Sequence, residues 1–264
     1  MMDSTKQRFV SVIIPCFNMG HFLLEAIQSV EVCPKSSYEL IIVDDGSTEP
    51  QTLEILARLE KQGYHLIRQS NKGLAAARNA GINAARSPYI LPLDADNKIR
   101  PAFLEEGMKI LEQFPDVGVV YGDAEFFGDK TGVWRVPEFE ISLMLVMNQI
   151  DACAVYRKKI WEQTGGYDSE MPQMGYEDWD FWLKVYTAGW RFYHTHKLLF
   201  DYRVRKDSMV TQCLKPENEE KSIKYIYGKH HALIRRELKN IADLKKISML
   251  KFFQKLSKKI WAKI

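Results

Sequence analysis

Tyr89-Ile90-Leu91-Pro92-Leu93-Asp94-Ala95-Asp96 is an apolar run that stops on two carboxylates. Such a run reads as a buried strand whose last side chains emerge at the carboxyl edge of a sheet, where open α/β sheets bind their ligands. Asp94 and Asp96 point to the same side in extended backbone, and if the chain turns after Asp94 they can share one ion. Two hard oxygen donors are too few to enclose a cation. They suit Mg2+ or Mn2+ that takes its other ligands from water and a diphosphate, so the implied ligand is a nucleotide. A solvated turn after a strand carries the same letters, and the neighbouring segments must decide.

Upstream, Phe9-Val10-Ser11-Val12-Ile13-Ile14-Pro15 is a β-branched run ended by proline, and it reads as a central strand. Phe22, Leu23, Ala26, Ile27 and Val30 follow at helical spacing. A second apolar strand, Tyr38 to Val43, also stops on acids: Asp44-Asp45-Gly46. Gln51 to Lys61 is helical by periodicity, and Tyr64 to Arg68 is a short third strand. Leu74 to Ala85, with its six alanines, makes a helix carrying Arg78 and Asn79. Ser87-Pro88 ends that helix and delivers the chain into the Tyr89 strand. Strands alternating with helices predict a parallel sheet covered on both faces, and right-handed crossovers put the four strand ends on one edge. Asp45 and the Asp94/Asp96 pair are therefore expected to be neighbours.

Downstream the order changes. A helix is expected from Ala102 to Phe114, a strand from Val117 to Phe127 and another extended piece from Val133 to Val136. Ile141 to Ile150 is apolar and too short for a membrane span, so it reads as a core helix or a pocket wall. A strand from Asp151 to Tyr156 and a helix from Arg157 to Thr164 precede the loop Gly165-Gly166-Tyr167-Asp168. The acidic Gly175-Tyr176-Glu177-Asp178-Trp179-Asp180 then opens a helix, Phe181 to Thr187, and a last strand covers Trp190 to His194.

With 264 residues and 46% hydrophobic content the chain can bury a substantial core. Its charge is uneven: 16 Lys/Arg against 6 Asp/Glu from Arg205 onward, 21 against 28 before it, hence +10 and −7. That imbalance argues for a basic tail on an acidic body and against a globally basic nucleic-acid binder, so no nucleic-acid partner is expected. Cys16, Cys33, Cys153 and Cys213 show no C-x-x-C spacing, which suggests neither a zinc knuckle nor a disulfide framework. A polar amino terminus and the lack of a spanning apolar stretch point to a cytoplasmic protein.

Taken in order, V-S-V-I-I-P-C-F-N, I-I-V-D-D-G-S-T, N-K-G-L-A-A-A-R-N-A-G, P-Y-I-L-P-L-D-A-D, G-G-Y-D and G-Y-E-D-W-D resemble the family 2 glycosyltransferases of the GT-A fold, over about Phe9 to Tyr202. The resemblance implies an α/β domain with a mostly parallel central sheet flanked by helices over residues 1–204. In it, 1–100 would bind the nucleotide sugar and 101–204 the acceptor, with a basic helical extension over 205–264. On that likeness Pro15 and Phe17 line the base pocket, Asp45 accepts the N3 proton of uracil and Asp44 holds the strand end beside it. Lys72, Gly73 and Arg78 match the segment over the ribose and diphosphate. Asp94 and Asp96 match the metal motif for Mn2+ or Mg2+, with Asp96 favoured over Asp94 as the direct ligand, and Asp94 and Ala95 also match nucleotide-sugar-binding positions. Glu177 and Asp178 match the acceptor-side acidic pair, and Asp178 falls on the base position. Trp179 and Trp182 are candidates for an acceptor-sugar platform or for the core, and His194 or His196, after the last strand, for a further metal ligand or a structural histidine.

The activity implied is inverting transfer from a nucleotide-diphosphate sugar, UDP-linked, to a saccharide or lipid-linked acceptor hydroxyl, in cell-surface polysaccharide or lipopolysaccharide synthesis. A nucleotidyltransferase would share the nucleotide half but carries a glycine-rich, basic loop after its first strand, which Pro15 to Gly20 lacks. A catalytically silent sugar-nucleotide or membrane-binding module is the other alternative. In the tail, seven lysines between Lys245 and Lys263 alternate with Met249, Phe252, Phe253, Leu256, Ile260 and Ile264 at helical spacing. Such a stripe suits attachment to the anionic inner face of a membrane, or packing against the catalytic domain or a partner.

Overall fold

The computed structural model describes residues 9–206 and 208–243. In the first half β1 (Val10–Cys16), α1 (Gly20–Glu31), β2 (Tyr38–Asp44), α2 (Pro50–Lys61), β3 (His65–Arg68), α3 (Leu74–Ala84) and β4 (Tyr89–Pro92) alternate. Every residue of β1 is buried, which suits a strand paired on both edges and covered on both faces. It pairs in parallel with β2 on one side and β4 on the other, and β3 extends the sheet beyond β2. Small residues let α3 lie close on this layer. A Cβ on Gly81 would come 2.3 Å from Ile13 Cγ2 and 3.0 Å from Val43 Cγ2.

The second half adds β5 (Lys98–Ile99), α4 (Ala102–Gln113), β6 (Val117–Gly128), β7 (Gly132–Trp134), α5 (Ile141–Met144) and β8 (Val155–Arg157). Then come α6 (Lys158–Thr164), α7 (Glu177–Thr187), β9 (Arg191–Val204), α8 (Met209–Cys213) and α9 (Pro216–Lys229). The sheet runs β3-β2-β1-β4-β8-β6-β9-β5, with β7 on β6. The expected parallel arrangement holds for β1 to β4 and for β6 with β9, whereas β8 enters antiparallel between β4 and β6. Leu23, Ile42, Leu91, Phe103, Leu111, Val155 and Leu199 belong to one core that spans both halves.

Three segments differ from the sequence expectation. Ile141 to Ile150 is helical only to Met144; Val146 and Met147 are exposed, and the chain then turns inward so that Gln149 and Ile150 are buried. Asp151 precedes β8 rather than starting it, and β9 runs on from His194 to Val204. Opposite Tyr121–Asp123 of β6 stand His194–Leu198 of β9, a bulge that contains His196 at φ 56°.

The chain divides into two compact units after Ser222. A division after residue 204 would cut the first unit, because α8 is docked within it: the Cys213 thiol donates to the Met174 carbonyl at 2.7 Å. Among the described residues, those from Ile223 on are helical to Lys229 and again over 231–243, and no helix is long and apolar enough to cross a membrane. The lysine-rich stripe of residues 245–264 lies outside the described residues.

Candidate active site

The carboxyl ends of β1, β2 and β4 open on a cleft of about 420 Å³, lined by Pro15, Phe17, Asp45, Gly73, Arg78, Asp94, Ala95 and Asp96. From the second half Asp151, Glu177, Asp178 and Arg205 line the same cleft. Phe17 is 44% exposed, an aromatic face free to stack on a planar ligand. Asp44 is buried and closes the strand end, accepting from the Ser47 N–H at 2.9 Å and from Arg68 at 3.2 Å.

Asp45 anchors a loop. Its Oδ1 accepts from the Gln69 amide at 2.7 Å and the Lys72 N–H at 2.9 Å, and its Oδ2 from the Gly73 N–H at 2.8 Å. The turn beside it needs glycine: Gly46 has φ 75°, and a Cβ there would sit 2.5 Å from the Asn71 nitrogen. Oδ2 has acceptor capacity to spare for a base. The Lys72 side chain is exposed and does not line the cleft, whereas its backbone N–H is bound to Asp45.

Arg78, expected over the ribose and diphosphate, lines the cleft and is held there by two carboxylates. Its side chain is buried, with Nη1 2.6 Å from Glu177 Oε1 and Nη2 2.7 Å from Asp94 Oδ1. Each Nη spends one of its two N–H groups on a carboxylate, and Nε is buried without a hydrogen-bond partner among the described residues. Arg78 therefore joins the tip of β4 to the start of α7. Glu177 is engaged at both oxygens, since its Oε2 also accepts from the Gly175 N–H at 2.5 Å.

After Asp94 the chain turns, with the Asn97 N–H on the Asp94 carbonyl at 3.0 Å. Asp96 Oδ2 accepts from Arg205 Nε at 2.9 Å, and Arg203 Nε donates to the Asp96 carbonyl at 3.0 Å. Burial and the nearby Asp94 carboxylate raise the Asp96 pKa, opposed by Arg205. Two adjacent carboxylates, one of them strained toward protonation, are a donor set that a divalent cation relieves. With one oxygen of each held by an arginine, the other oxygens fit Mn2+ or Mg2+.

Asp178 is buried at the mouth of α7. Its Oδ2 accepts from the Asn148 amide at 2.9 Å and its Oδ1 from the Trp179 N–H at 2.8 Å. Burial, then the Glu177 and Asp151 carboxylates, push its pKa well above the ordinary carboxylate range. Asp151, half-buried in the same cleft, is pushed up to about 7 by burial first and Asp94 second. Arg205, Asp151 and Asn148 are absent from the sequence expectation. Ile150-Asp151 carries the same apolar-then-acid signature as Leu93-Asp94, and that signal could have found it.

Two readings that the sequence leaves open fall on the structural side. Trp179 and Trp182 are 2% and 0% exposed, and their indole N–H groups donate to the Met144 and Ile150 carbonyls at 2.6 and 2.9 Å. They hold the 144–150 segment and offer no platform to a sugar. His194 lies within β9, paired across from Tyr121, and does not line the cleft. The end of β9 near Asp96 is Arg203 and Arg205, nine or more residues further on, so His194 is no partner for Asp94 and Asp96.

A parallel half with acidic strand tips, closed by a mixed half that brings its own carboxylates, defines a GT-A-type glycosyltransferase. Residues 11–183 match the model described as Glycosyl transferase family 2, and the chain belongs to that family. It is 26% identical over 223 residues to the glycosyltransferase GlyA of Streptococcus pneumoniae, covering 76% of this chain and 31% of that one. Coverage of another curated relative, from Sinorhizobium fredii, is 23% of its length, so the chain spans less than a third of both. Among solved structures, S. aureus TarS 1-349 in complex with UDP-GlcNAc has a TM-score of 0.63 at 21% identity, over 77% of this chain and 60% of that one. The Pyrobaculum calidifontis mannosyltransferase PcManGT, in complex with GDP-Man and Mn2+, has a TM-score of 0.58 at 19% identity, over 79% and 60%.

Proposed function

We propose that this chain transfers a sugar from a UDP-sugar to a hydroxyl of a saccharide or lipid-linked acceptor, with inversion, in cell-surface polysaccharide or lipopolysaccharide synthesis. The observation that carries the proposal is one cleft lined by Phe17, Asp45, the Asp94/Asp96 pair and buried Asp178. Phe17 stacks on the base and Asp45 Oδ2 accepts from it. UDP-GlcNAc in TarS is in keeping with such a ligand.

Asp178 is the proton acceptor. As the acceptor oxygen bonds to the anomeric carbon, the bond from that carbon to the diphosphate oxygen breaks, and the acceptor's proton passes to Asp178. A single displacement inverts the anomeric centre. Asn148 and the Trp179 N–H fix the carboxylate, and its raised pKa makes it a stronger base than a solvated aspartate. Asp94 and Asp96 would hold Mn2+ or Mg2+, which when bound neutralises the charge growing on the leaving diphosphate, a contribution of several kcal/mol. Arg78 keeps Asp94 and Glu177 in register across the cleft. Attachment of residues 245–264 to an anionic surface would present the cleft to a lipid-linked acceptor at the cytoplasmic face of a membrane.

The test is a panel of UDP- and GDP-sugars with the purified chain, with and without Mn2+, read as thermal stabilisation and as release of nucleoside diphosphate. UDP-sugars are expected to stabilise in the presence of Mn2+ and to be turned over. Stabilisation without turnover, equal in the parent and in Asp178→Asn, would make this chain a silent binding module instead.

A further inference from the structure

A second cluster lies in the bulge of β9 and in the segment after β7. Donor atoms of Glu138, His194 and His196 lie within 4.8 Å of one another, and none of the three lines the nucleotide cleft. The His194 ring is 7% exposed, stacked on Tyr121 at 4.9 Å and next to His196 at 4.3 Å between ring centres. Its Nε2 is 3.0 Å from Asp123 Oδ1, and Asp123 is fixed in turn by Arg135 at 2.6 Å and the Val136 N–H at 3.0 Å. A carboxylate only accepts, so in the neutral ring Nε2 carries the proton and Nδ1 the lone pair. That Nδ1 is buried and has no hydrogen-bond partner among the described residues.

The other two groups are held in place. His196 adopts φ 56°, a left-handed backbone that a residue with a side chain keeps only under constraint, and its Nε2 is 2.8 Å from Glu138 Oε1. Glu138 is fixed from both neighbours. The Tyr121 hydroxyl donates to the Pro137 carbonyl at 3.0 Å, and Phe139 stacks on Phe192 at 4.0 Å.

We propose that Glu138, His194 and His196 bind one divalent transition metal of the Zn2+ class, His194 through Nδ1. Two imidazoles and a carboxylate form a zinc donor set with a fourth position for water, and nitrogen donors select against Mg2+ and Ca2+. The Asp123–His194 pair is the outer-sphere contact that fixes a ligating histidine's tautomer and raises its basicity. His196 and Glu138 are 67% and 68% exposed at their side chains, so the ion enters directly from solvent. Once bound it pins β9 to the segment leading to Asn148, which holds Asp178.

The test is calorimetric titration of the untagged, chelator-stripped chain with Zn2+ in the absence of nucleotide, with the visible spectrum of the Co2+-loaded chain as a second readout. One site per chain is expected, retained in Asp96→Asn and weakened at least tenfold in His196→Asn, whose asparagine tolerates the left-handed backbone. Asp123→Asn is expected to weaken it about 10- to 100-fold. Glu138→Gln, at an exposed position, gives the same reading if His196→Asn loses its circular dichroism spectrum. Absence of Zn2+ binding, binding unchanged in both His196→Asn and Glu138→Gln, or binding lost only in Asp96→Asn would overturn the proposal.

Discussion

Asp178 and Asp151 share one cleft but face different tasks. Each oxygen of Asp178 already accepts one hydrogen bond, from Asn148 or Trp179; an asparagine in its place keeps the Trp179 contact through its oxygen and, with the Asn148 amide turned over, the second contact too, while losing the basic oxygen. Asp178→Asn is expected to lower kcat by about 10²- to 10⁴-fold with UDP affinity within twofold of the parent, measured by product release and by calorimetry. Asp151 titrates near neutrality. Its folded pKa of about 7 lies above the unfolded carboxylate value of about 3.9, so the native state binds the proton more tightly. Stability from this group is therefore present at low pH and lost as pH rises from about 4 to about 7. Asp151→Asn removes the titration. In chelator-treated chain the variant is expected to be more stable than the parent at pH 8, by about 2 kcal/mol once cleft water screens the charge, and equal to it at pH 4, compared by urea unfolding.

At the scale of elements, α3 couples the two halves. Arg78 on this helix bridges the turn after β4 to the first residue of α7, and removing it leaves Asp94 and Glu177 without their cation. Arg78→Met is expected to cost about 3–5 kcal/mol in urea unfolding. Arg78→Lys is expected to recover little, since an ammonium lacks the fork that reaches two carboxylates. The helix also depends on its thinness: Gly81→Ala places a methyl 2.3 Å from Ile13 Cγ2 and is expected to cost about 1–3 kcal/mol. Much of this layer is legible in the sequence, because β1, β2 and β4 are apolar runs and the ends of β2 and β4 are marked by acids. What stays hidden depends on pairing at a distance. β8 keeps only Val155 and Tyr156 of the strand expected from Asp151 to Tyr156, and its antiparallel entry leaves no local mark. Arg78 reads as a phosphate contact, and its pairing with Glu177 shows only once the fold brings them together. Trp179 and Trp182 read as core more readily than as platform, since aromatic residues at this spacing more often pack inside, and burial of the whole first turn of α7 is that of a core.

At the scale of the whole molecule, charge is divided along the chain. The residues before Arg205 carry a net −7 and those from Arg205 on a net +10, yet Arg205 itself serves the cleft by holding Asp96. The functional division thus falls later than the change in charge, and the basic surplus is concentrated beyond the residues that line the site. Seven lysines between Lys245 and Lys263 occur without an acid among them. At about 1 kcal/mol for each lysine near an anionic bilayer, a few of them offset the repulsion felt by an acidic body. That attraction is electrostatic and is screened within about 10 Å at 0.1 M salt, so it should be lost at high ionic strength. The full chain is expected to float with phosphatidylserine-containing vesicles at low salt, to be released by about 0.5 M salt, and to ignore neutral vesicles. A chain lacking residues 245–264 is expected to stay in solution under all three conditions while binding UDP as the parent does. Equal flotation of the two chains would move the membrane contact out of the tail, and weakened UDP binding in the shorter chain would instead assign those residues to packing against the catalytic unit.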